Sequence, residues 1–455
     1  MSRESSSTQG EDIAGQGERQ VDSERAGPDA SLDKDSGSLS IKPPRGTRDI
    51  LPAESPQWQH LENCARTVLP AAGYGEIRVP IFEHTEIFKR GVGETTDIVN
   101  KEMYTFPDKS ERSLTLRPEG TAGVVRAYLN GGLHRQAPPV KFWYAGPMFR
   151  YERAQTGRQR QFHQIGIEAF GSAGPLIDAE VIGVAVDYMS EVGVSGFELQ
   201  INSIGCPVCR PAYRNLLKEH LRPLLPELCD DCRERFERNP LRMLDCKSQN
   251  CQSHYQDVPA SIDHLCQECQ LHWDQLLVLL AELNVAGKIN TRLVRGLDYY
   301  TRTVFELVSG DPRLGAQTTI CAGGRYDNLV ELFGGPPTPA VGWALGMERV
   351  HLLLSDHGKN KLAAFVVSSQ PAKALALAGQ MRRAGISCDL DFPGRGTDPR
   401  AFSKQLQQAN KLGASWAIIL GEEELSAGEA TLKNMESGVQ IKMPLTELVR
   451  HLRSG

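Results

Sequence analysis

The chain has 455 residues, and its 51 Lys and Arg against 56 Asp and Glu give a formal net charge of −5. This balance excludes a polycation that binds nucleic acid through its net charge, so any nucleic-acid site must be a local basic patch. Hydrophobic residues at 40% and charged residues at 24% are typical of a folded globular protein. The length predicts about three domains.

Membrane and export segments are not predicted. The most apolar stretch, residues 276–283, already contains Glu282 and falls well short of the roughly 18 apolar residues that a membrane helix needs. The start of the chain is acidic from Glu4 to Glu24, whereas secretory and organellar leaders are apolar or poor in acids. We therefore expect a cytoplasmic protein with no membrane partner.

The first 41 residues differ in composition from the rest. They are mainly Ser, Gly, Asp, Glu and Arg, with no aromatic residue and no Cys. Such a segment buries too little apolar area to offset the entropy of ordering, so residues 1–41 are predicted to be a disordered tail.

Residues 42–355 mix helical periods, such as 58–71, with short apolar runs typical of strands. The strands are predicted at 140–145, 197–201, 304–308 and 340–345. This mixture predicts an α+β domain with an antiparallel sheet. Between 205 and 285 the chain becomes helical and rich in Cys, with candidate helices at 213–225 and 264–283, and we interpret this segment as an insertion.

A polar hinge is predicted at residues 355–361, and a regular alternation follows it. Strands are predicted at 363–367, 387–390 and 414–420, with helices at 372–383 and 401–412 between them. Strand alternating with helix predicts a small α/β domain with a largely parallel sheet over residues 362–455.

The chemistry in the middle of the chain centres on arginine. Residues 145–162 carry Arg150, Arg153, Arg158 and Arg160, with Gly157 at a predicted turn. Guanidinium groups bind phosphate oxygens in bidentate fashion, which favours an anion site, although a solvated hairpin would have the same composition.

Further segments favour the anion site. RGLDYYTRTVF at 295–305 combines arginine and paired tyrosines with a strand-like run, and CAGGRYD at 321–327 allows close backbone approach to a ligand at its two glycines. GWALGMER at 342–349 places Arg349 just inside a predicted helix. The phosphate-loop and dinucleotide glycine motifs are both missing.

These segments resemble the histidyl-tRNA synthetases, a family of class II aminoacyl-tRNA synthetases. The resemblance rests on PPRGTRD at 43–49, on GYGEIRVP at 73–80, on residues 149–168 and on GMER at 346–349, the last three being similar to motifs 1, 2 and 3 of the class. The segments at 295–305 and 321–327 are similar to the family's histidine-specific signatures. The resemblance covers about residues 42–455, in family order.

The resemblance implies a class II antiparallel-sheet catalytic core at 42–355 with its helical insertion at 205–285, and an anticodon-binding domain at 362–455 that reads splayed bases. It also implies an enzyme that activates L-histidine with ATP and Mg²⁺ to histidyl-adenylate and transfers histidine to the 3′ end of tRNA(His). A homodimer is implied through the motif 1 region.

Site residues follow from the same resemblance. Arg295 is expected to be the catalytic cation between the histidine carboxylate and the α-phosphate, and Arg150 to bind the α-phosphate. ATP is also expected to contact Arg158 and, at the far end of the triphosphate, Arg349. The motif 2 loop implies that Arg153 and Gln155 meet the acceptor end of the tRNA.

The amino acid is expected to be recognised at two ends. Glu168 and Tyr300 would meet the imidazole ring, because a polar pocket rejects ligands that leave its buried groups unpaired. Tyr299 and Tyr326 are either part of this pocket or ordinary core aromatics, and a core position is favoured for Phe170. The residues implied at the other end of histidine are Glu119, Gly120, Thr121 and Gln164.

Eight of the 11 Cys fall between residues 206 and 269. Disulfides are rare in the cytosol, and two Cys-x-x-Cys pairs separated by 19 residues have the spacing of a tetrahedral zinc site. We expect either one structural Zn²⁺ or metal-free reduced thiols. The expected ligands are Cys206, Cys209, Cys229 and Cys232, with Cys266 and Cys269 as alternates.

A second function remains open at this point. Catalytically silent paralogues of this family act as the regulatory subunit of ATP phosphoribosyltransferase, but they typically lack the anticodon-binding domain and lose catalytic residues. This chain retains Arg150, Arg295, Arg349 and a full C-terminal domain. The enzyme is therefore the favoured interpretation.

Overall fold

The computed structural model describes residues 42–93, 96–355, 362–392 and 399–453. The predicted tail and residues 356–361 of the predicted hinge lie outside the described residues. The helices and strands described in this section all belong to one compact unit, Arg45–Gly455.

The first part of this unit contains four α-helices and six strands in the described residues. α4 begins with Pro175 in its first turn and is followed by the cap residue Gly193, whose φ of 84° is a left-handed conformation that favours glycine. The elements are α1 (Ser55–Ala71), β1 (Gly75–Glu76), β2 (Phe82–His84), α2 (Thr85–Val92), β3 (Thr105–Pro107), β4 (Ser113–Leu116), α3 (Thr121–Asn130), β5 (Val140–Phe149), β6 (Gln161–Phe170) and α4 (Pro175–Val192).

The middle part contains the Cys-rich segment and returns to the sheet. Its elements are β7 (Phe197–Ser203), α5 (Arg210–Leu221), α6 (Asp230–Arg238), α7 (Gln249–Ser253), α8 (Gln267–Glu282), β8 (Gly287–Ile289), β9 (Thr301–Ser309), β10 (Thr319–Arg325), α9 (Leu329–Leu332), β11 (Ala340–Gly346) and α10 (Met347–Leu353). The helix predicted at 213–225 ends earlier, at Leu221, and continues as a 3₁₀ helix over Arg222–Glu227. Pro223 and Pro226 explain the change, because proline has no amide hydrogen for the α-helical ladder.

Eight strands form the main sheet, in the order β1-β5-β6-β11-β10-β9-β7-β8. The five pairings in its centre are antiparallel, and only the edge pairs β1–β5 and β7–β8 are parallel. The predicted antiparallel sheet is therefore confirmed for the centre of the domain. A separate sheet of three short strands has the order β2-β4-β3.

The two faces of the main sheet have different surroundings. α1, α4 and α8 cover one face, and the odd-numbered residues of β11, Val341, Trp343 and Leu345, are buried in the core beneath them. Successive side chains of a strand point to opposite faces, so the small even-numbered residues Gly342 and Ala344 face the other side. That side is open.

The Cys-rich segment contributes to two cores. α8, its last helix, packs in the main core through Trp273, Leu276 and Leu280. The preceding part, from Tyr213 to Tyr255, is buried in a second core that it shares with Tyr300 and Val304 of the main domain. The segment is therefore anchored at both ends rather than attached as an independent body.

The C-terminal elements are β12 (Ala364–Ser368), α11 (Pro371–Arg383), β13 (Cys388–Leu390), α12 (Phe402–Lys411), β14 (Trp416–Leu420), α13 (Glu422–Ala427), β15 (Glu429–Asn434), β16 (Gln440–Pro444) and α14 (Leu448–Arg453). Their sheet has the order β13-β12-β14-β15-β16. The prediction of a largely parallel sheet is wrong for its second half, because β14–β15 and β15–β16 pair antiparallel. Among the described residues, no helix is both long and apolar enough to cross a membrane.

Candidate active site

A cavity of about 650 Å³ lies on the open face of the main sheet. Most of the residues singled out in the sequence line it, although their individual roles remain predictions. They are Glu119, Thr121, Arg150, Arg158, Gln164, Glu168, Arg295, Tyr299, Tyr300 and Arg349.

Glycines in neighbouring strands make room on the floor of the cavity. Gly342 of β11 pairs with Glu168 of β6, and a Cβ atom at Gly342 would lie 2.1 Å from the Glu168 Oε2 atom. A Cβ atom at Gly166 would lie 2.4 Å from the hydroxyl oxygen of Tyr144. A side chain at either position would displace a polar group of the site.

Glu168 is the buried carboxyl group at one end of the cavity. Its Oε1 atom accepts a 2.6 Å hydrogen bond from the Thr121 hydroxyl, and its Oε2 atom accepts one from the Tyr326 hydroxyl. Burial raises the pKa of Glu168 to about 8, although the hydrogen bonds from Thr121 and Tyr326 lower it. The carboxyl group thus holds its proton near neutral pH until a charged or polar ligand arrives.

Glu119 lies immediately before α3. Its carboxylate accepts hydrogen bonds from the backbone amides of Thr121, at 2.6 Å, and Ala122, at 2.9 Å, so it caps the first turn of the helix. Gly120 does not line the cavity, but its lack of a side chain matters, because a Cβ atom there would lie 2.2 Å from the ring of Tyr144. Glycine therefore lets α3 approach the sheet.

Gln164 offers an unused polar atom. Its Oε1 atom is buried and has no hydrogen-bond partner among the described residues. A buried amide oxygen without a partner costs free energy, which a ligand with an N–H or O–H group in the cavity can recover.

Three tyrosines form the wall beside Glu168. The rings of Tyr299 and Tyr300 lie 4.7 Å apart, and Tyr299 meets Tyr326 edge-on at 5.5 Å. All three line the cavity. Phe170, by contrast, is fully buried and stacks on Tyr128 at 4.5 Å, as expected for a core position.

Arginines gather at the other end of the cavity. Arg349 donates hydrogen bonds to the carbonyl oxygens of Gly157, at 3.1 Å, and Thr319, at 2.7 Å, and to Gln317. Burial, together with the charges of Arg158 and Arg150, lowers the pKa of Arg349 to about 10, which leaves it protonated at neutral pH. This end can therefore bind an anion with several negative charges.

Arg150 and Arg158 flank the buried carboxylate of Glu152. Arg158 forms a close ion pair with Glu152, and Arg150 Nη1 lies 3.8 Å from it. Arg150 Nε donates to the carbonyl oxygen of Pro118 at 2.9 Å, and its guanidinium stacks over Phe162. These contacts hold both cations in place before any ligand binds.

Arg295 lies between the two ends. It forms a close ion pair with Glu306 of β9, and its guanidinium lies 5.9 Å from the centre of the Tyr300 ring. Burial alone would lower the pKa of Arg295, but the charge of Glu306 and the neighbouring Tyr300 outweigh it and raise the pKa. Its Nε atom is buried without a hydrogen-bond partner among the described residues.

The structure places Arg153 and Gln155 apart from the cavity lining. Both side chains are exposed, on the loop between β5 and β6. The loop is closed by reciprocal backbone hydrogen bonds between Gln155 and Arg158, of 3.0 and 2.9 Å. This loop is free to contact a large ligand that reaches over the cavity.

Sequence reasoning missed several lining residues. Glu306 directly follows the segment 295–305, and strand alternation from Val304 would have placed it on the open face. Tyr144 gave no signal beyond that of an ordinary strand aromatic. Asp245 and Lys247 come from the Cys-rich segment and reach the cavity only through its fold.

One arginine of a predicted ligand segment points elsewhere. Arg325, in 321–327, is fully buried on the covered side of the sheet, where it pairs closely with Asp178 of α4. It also lies 3.0 Å from Asp327. Arg325 is a structural ion-pair partner rather than part of the cavity.

The cysteines form two groups rather than one. Cys206 and Cys209 lie with Cys266 and Cys269, whereas Cys229 and Cys232 lie with Cys246 and Cys251. The expected ligand set of Cys206, Cys209, Cys229 and Cys232 is therefore wrong, whereas the alternates Cys266 and Cys269 do lie with Cys206 and Cys209. Sequence spacing paired neighbouring Cys-x-x-Cys motifs, but the fold of the segment brings its two ends together instead.

Two family models match the chain. The model described as histidyl-tRNA synthetase matches residues 46–208 and 240–350, and the model described as anticodon binding domain matches residues 360–454. A histidine–tRNA ligase of Desulforamulus reducens is 50% identical over 419 residues, which cover 90% of this chain and 98% of that protein. One of Thermosynechococcus vestitus is 49% identical, covering 90% of this chain and 96% of that protein.

A solved structure is also similar to this chain. The crystal structure of the apo S. aureus histidyl-tRNA synthetase has a TM-score of 0.75 and 36% sequence identity, covering 91% of this chain and 100% of that chain. The similarity extends over both the domain that holds the cavity and the C-terminal domain.

Proposed function

Because the chain belongs to the histidyl-tRNA synthetase family, we propose that it activates L-histidine with ATP and Mg²⁺ to histidyl-adenylate, and then transfers histidine to the 3′ end of tRNA(His). One observation carries the proposal: a single cavity joins a buried, tyrosine-lined carboxyl group to a cluster of arginines. The first end suits an imidazole, and the second suits a triphosphate.

Histidine would bind at the carboxyl end. The Glu168 carboxyl and the Tyr300 hydroxyl can pair with the two ring nitrogens, so that an amino acid without them would leave buried groups unpaired. We assign Glu119, Thr121 and Gln164 to the amino-acid end of histidine, where the Glu119 carboxylate and the unpartnered Gln164 oxygen would accept hydrogen bonds from its amino group. The fixed hydrogen bonds of Glu119 and Glu168 preorganise this end.

The arginines would supply the electrostatics of adenylate formation. The histidine carboxylate must attack an anionic α-phosphate, so preorganised cations should provide much of the rate. We assign Arg150 to the α-phosphate, Arg158 and Arg349 to the rest of the triphosphate, and Arg295 to the developing charge between carboxylate and phosphate. Arginine suits this role because it stays charged when buried.

Mg²⁺ would enter with ATP. Carboxylate oxygens are preferred ligands of this ion, and Glu306 offers them inside the cavity. When bound, Mg²⁺ would neutralise phosphate charge. Thr319 already donates a 2.9 Å hydrogen bond to Glu306 Oε2, which fixes this carboxylate.

The tRNA would contact two regions. We assign the acceptor end to the exposed loop with Arg153 and Gln155, and the anticodon to the C-terminal domain.

We also infer a cytoplasmic homodimer. The exposed apolar side chains of Ile81, Phe82 and Phe106, near the motif 1 region, support a partner surface there. Light scattering on full-length protein should give the mass of two chains.

The regulatory-subunit function is not favoured. A catalytically silent paralogue would not require four arginines in one cavity. In this chain the cavity is lined by all four, Arg150, Arg158, Arg295 and Arg349. The C-terminal domain is also present.

The test compares wild type with Arg295→Ala in ATP–pyrophosphate exchange with histidine and in charging of tRNA(His). We expect both rates to fall by at least about 100-fold, the effect of removing one transition-state donor. Arg66→Ala is the matched control, because Arg66 is a half-exposed arginine of α1 outside the cavity. No exchange and no charging by well-folded wild type would refute the proposed function.

A further inference from the structure

Eight cysteines form two compact groups in the Cys-rich segment. The base tetrad is Cys206, Cys209, Cys266 and Cys269, and the inner tetrad is Cys229, Cys232, Cys246 and Cys251. Within each tetrad all four sulfur atoms lie within 4.8 Å of one another. Six of the eight cysteines are buried, and Cys229 and Cys266 are partly buried.

The sulfur separations match a single tetrahedral metal ion. In the base tetrad, Cys206 Sγ lies 3.8 Å from both Cys209 Sγ and Cys266 Sγ, and in the inner tetrad Cys229 Sγ lies 3.8 Å from Cys246 Sγ. Zinc–sulfur bonds of about 2.3 Å put the corners of a regular tetrahedron about 3.8 Å apart. A disulfide would need about 2.0 Å, and all eight cysteines are free.

Backbone amides point at the sulfur atoms of both tetrads. In the base tetrad the amides of Cys206 and Val208 donate to sulfur at 3.2 and 3.3 Å. In the inner tetrad those of Cys229 and Ser248 do so at 3.3 and 3.4 Å. Amide donors stabilise thiolates, which are the metal-binding form of cysteine.

Helix ends add to this stabilisation. Cys209, Cys229 and Cys266 are the N-cap residues of α5, α6 and α8. The positive end of a helix dipole favours a negative charge at this position. Thiolates are therefore favoured in both tetrads by features independent of the sulfur spacing.

We propose that the chain binds two structural Zn²⁺ ions, one in the base tetrad and one in the inner tetrad. Each site forms when four thiols lose their protons to solvent and their sulfurs coordinate one ion. A tetrahedral set of four thiolates is the preferred environment of structural zinc. An iron–sulfur cluster fits less well, because several iron and sulfide ions between the thiolates would hold them farther apart.

The base site would connect the Cys-rich segment to the histidine end of the cavity. It joins residues 60 positions apart, at the entry and exit of the segment. Arg210, next to Cys209, donates to the carbonyl oxygens of Gly205, at 3.0 Å, and Tyr300, at 2.6 Å. Zinc at the base would therefore fix the backbone of Tyr300.

The inner site would shape the cavity wall directly. Cys246 lines the cavity together with Asp245 and Lys247. The Gln252 side chain, next to Cys251, donates a 2.6 Å hydrogen bond to the Cys246 carbonyl oxygen. Zinc in the inner tetrad would hold this wall in position. The importance of the wall for activity rests on the proposed function, whereas the predicted metal content is independent of it.

The test is elemental analysis of full-length protein purified without chelators. We expect two zinc ions per chain in wild type, and release of both when a mercurial reagent titrates the thiols, measured with a chromogenic zinc indicator. This measurement needs no variant. One or no zinc per chain, or iron in place of zinc, would overturn the proposal.

Variants assign each ion to its tetrad. Cys209→Ser and Cys232→Ser should each retain one zinc per chain, and the double variant none. Cys388→Ser, in the C-terminal domain, is the matched control and should retain two. Loss of both ions from either single variant that keeps a cooperative unfolding transition would contradict two independent sites.

Discussion

The two faces of the main sheet each bury an arginine, in opposite ways. Arg325, on the covered face, pairs with Asp178 and Asp327 and also donates to the carbonyl oxygens of Ser172, at 2.9 Å, and Gly174, at 3.1 Å. Arg295, on the open face, pairs with Glu306 but has a buried Nε atom without a partner among the described residues. A buried guanidinium whose N–H groups are hydrogen-bonded to the protein stabilises the fold. One that keeps an unpaired N–H group can still donate a hydrogen bond to a ligand.

The largest effect on the covered face is expected from Arg325→Ala. It leaves the Asp178 carboxylate buried beside His272 without its main partner, and breaking a buried ion pair costs about 3–5 kcal/mol. Urea unfolding followed by tryptophan fluorescence should report this loss. Arg295→Ala is the comparison and should lose activity with a much smaller change in stability. Equal destabilisation of both variants would remove the distinction between the faces.

On the open face, Arg349→Ala should lower kcat/KM for ATP by about 100-fold, since it removes one proposed donor to the triphosphate. The proposed histidine site lies at the other end of the cavity, so histidine binding should change little. Equilibrium dialysis with labelled histidine, alongside ATP–pyrophosphate exchange, separates the two ends. A comparable loss of histidine affinity would contradict the assignment.

Gly342→Ala tests the floor of the cavity. The new methyl group would collide with the Glu168 carboxyl and with the backbone carbonyl oxygen of Ile167, so β11 must shift against β6. We expect the KM for histidine to rise by about 10-fold or more, which is the scale of a one-methylene mismatch in a pocket. The KM for ATP should stay near that of wild type. Gly310→Ala is the matched control, because Gly310 lies outside the cavity and a Cβ atom there meets no atom within 4 Å.

A pH dependence of stability is expected from Glu168. Its pKa rises from 4.5 to about 8 on folding, so the native state keeps a proton that the unfolded chain has lost. The stabilisation is complete below pH 4.5 and is lost as pH rises toward 8. Glu168→Gln cannot ionise, so its stability relative to wild type should increase from pH 6 to pH 8 and then level off.

Urea midpoints at matched pH measure this difference. A difference between Glu168→Gln and wild type that is constant from pH 6 to pH 9 would contradict an elevated pKa.

Local patterns in the sequence predicted much of this architecture. The helix at 58–71 and the strands at 140–145, 304–308 and 340–345 lie inside the observed elements, because their apolar periods match buried faces. Motif resemblance located the arginines of the cavity. The last two strands, β15 and β16, were missed, since their alternation is short and follows a helix of only six residues.

Other features depend on the path of the chain. Which Cys-x-x-Cys pairs meet is decided by the fold of about 60 residues, and spacing alone selected the wrong partners. Arg325, by contrast, lies on the covered side through ordinary alternation, because it pairs with Val341 of β11 and follows Cys321 on the same face of β10. Its partner Asp178 comes from α4, 147 residues earlier in the chain, so this ion pair has no signature in the local residue pattern.

The alternation of β11 also gives the protein an optical reporter. The Trp343 indole donates a 2.9 Å hydrogen bond to the Val181 carbonyl oxygen beneath the helices, while its chain neighbours Gly342 and Ala344 form the cavity floor. A ligand that presses on this floor would shift the surroundings of the indole from the opposite side of the sheet. In a variant whose other four tryptophans are replaced, the emission of Trp343 would therefore offer a label-free signal for the arrival of a ligand in the cavity.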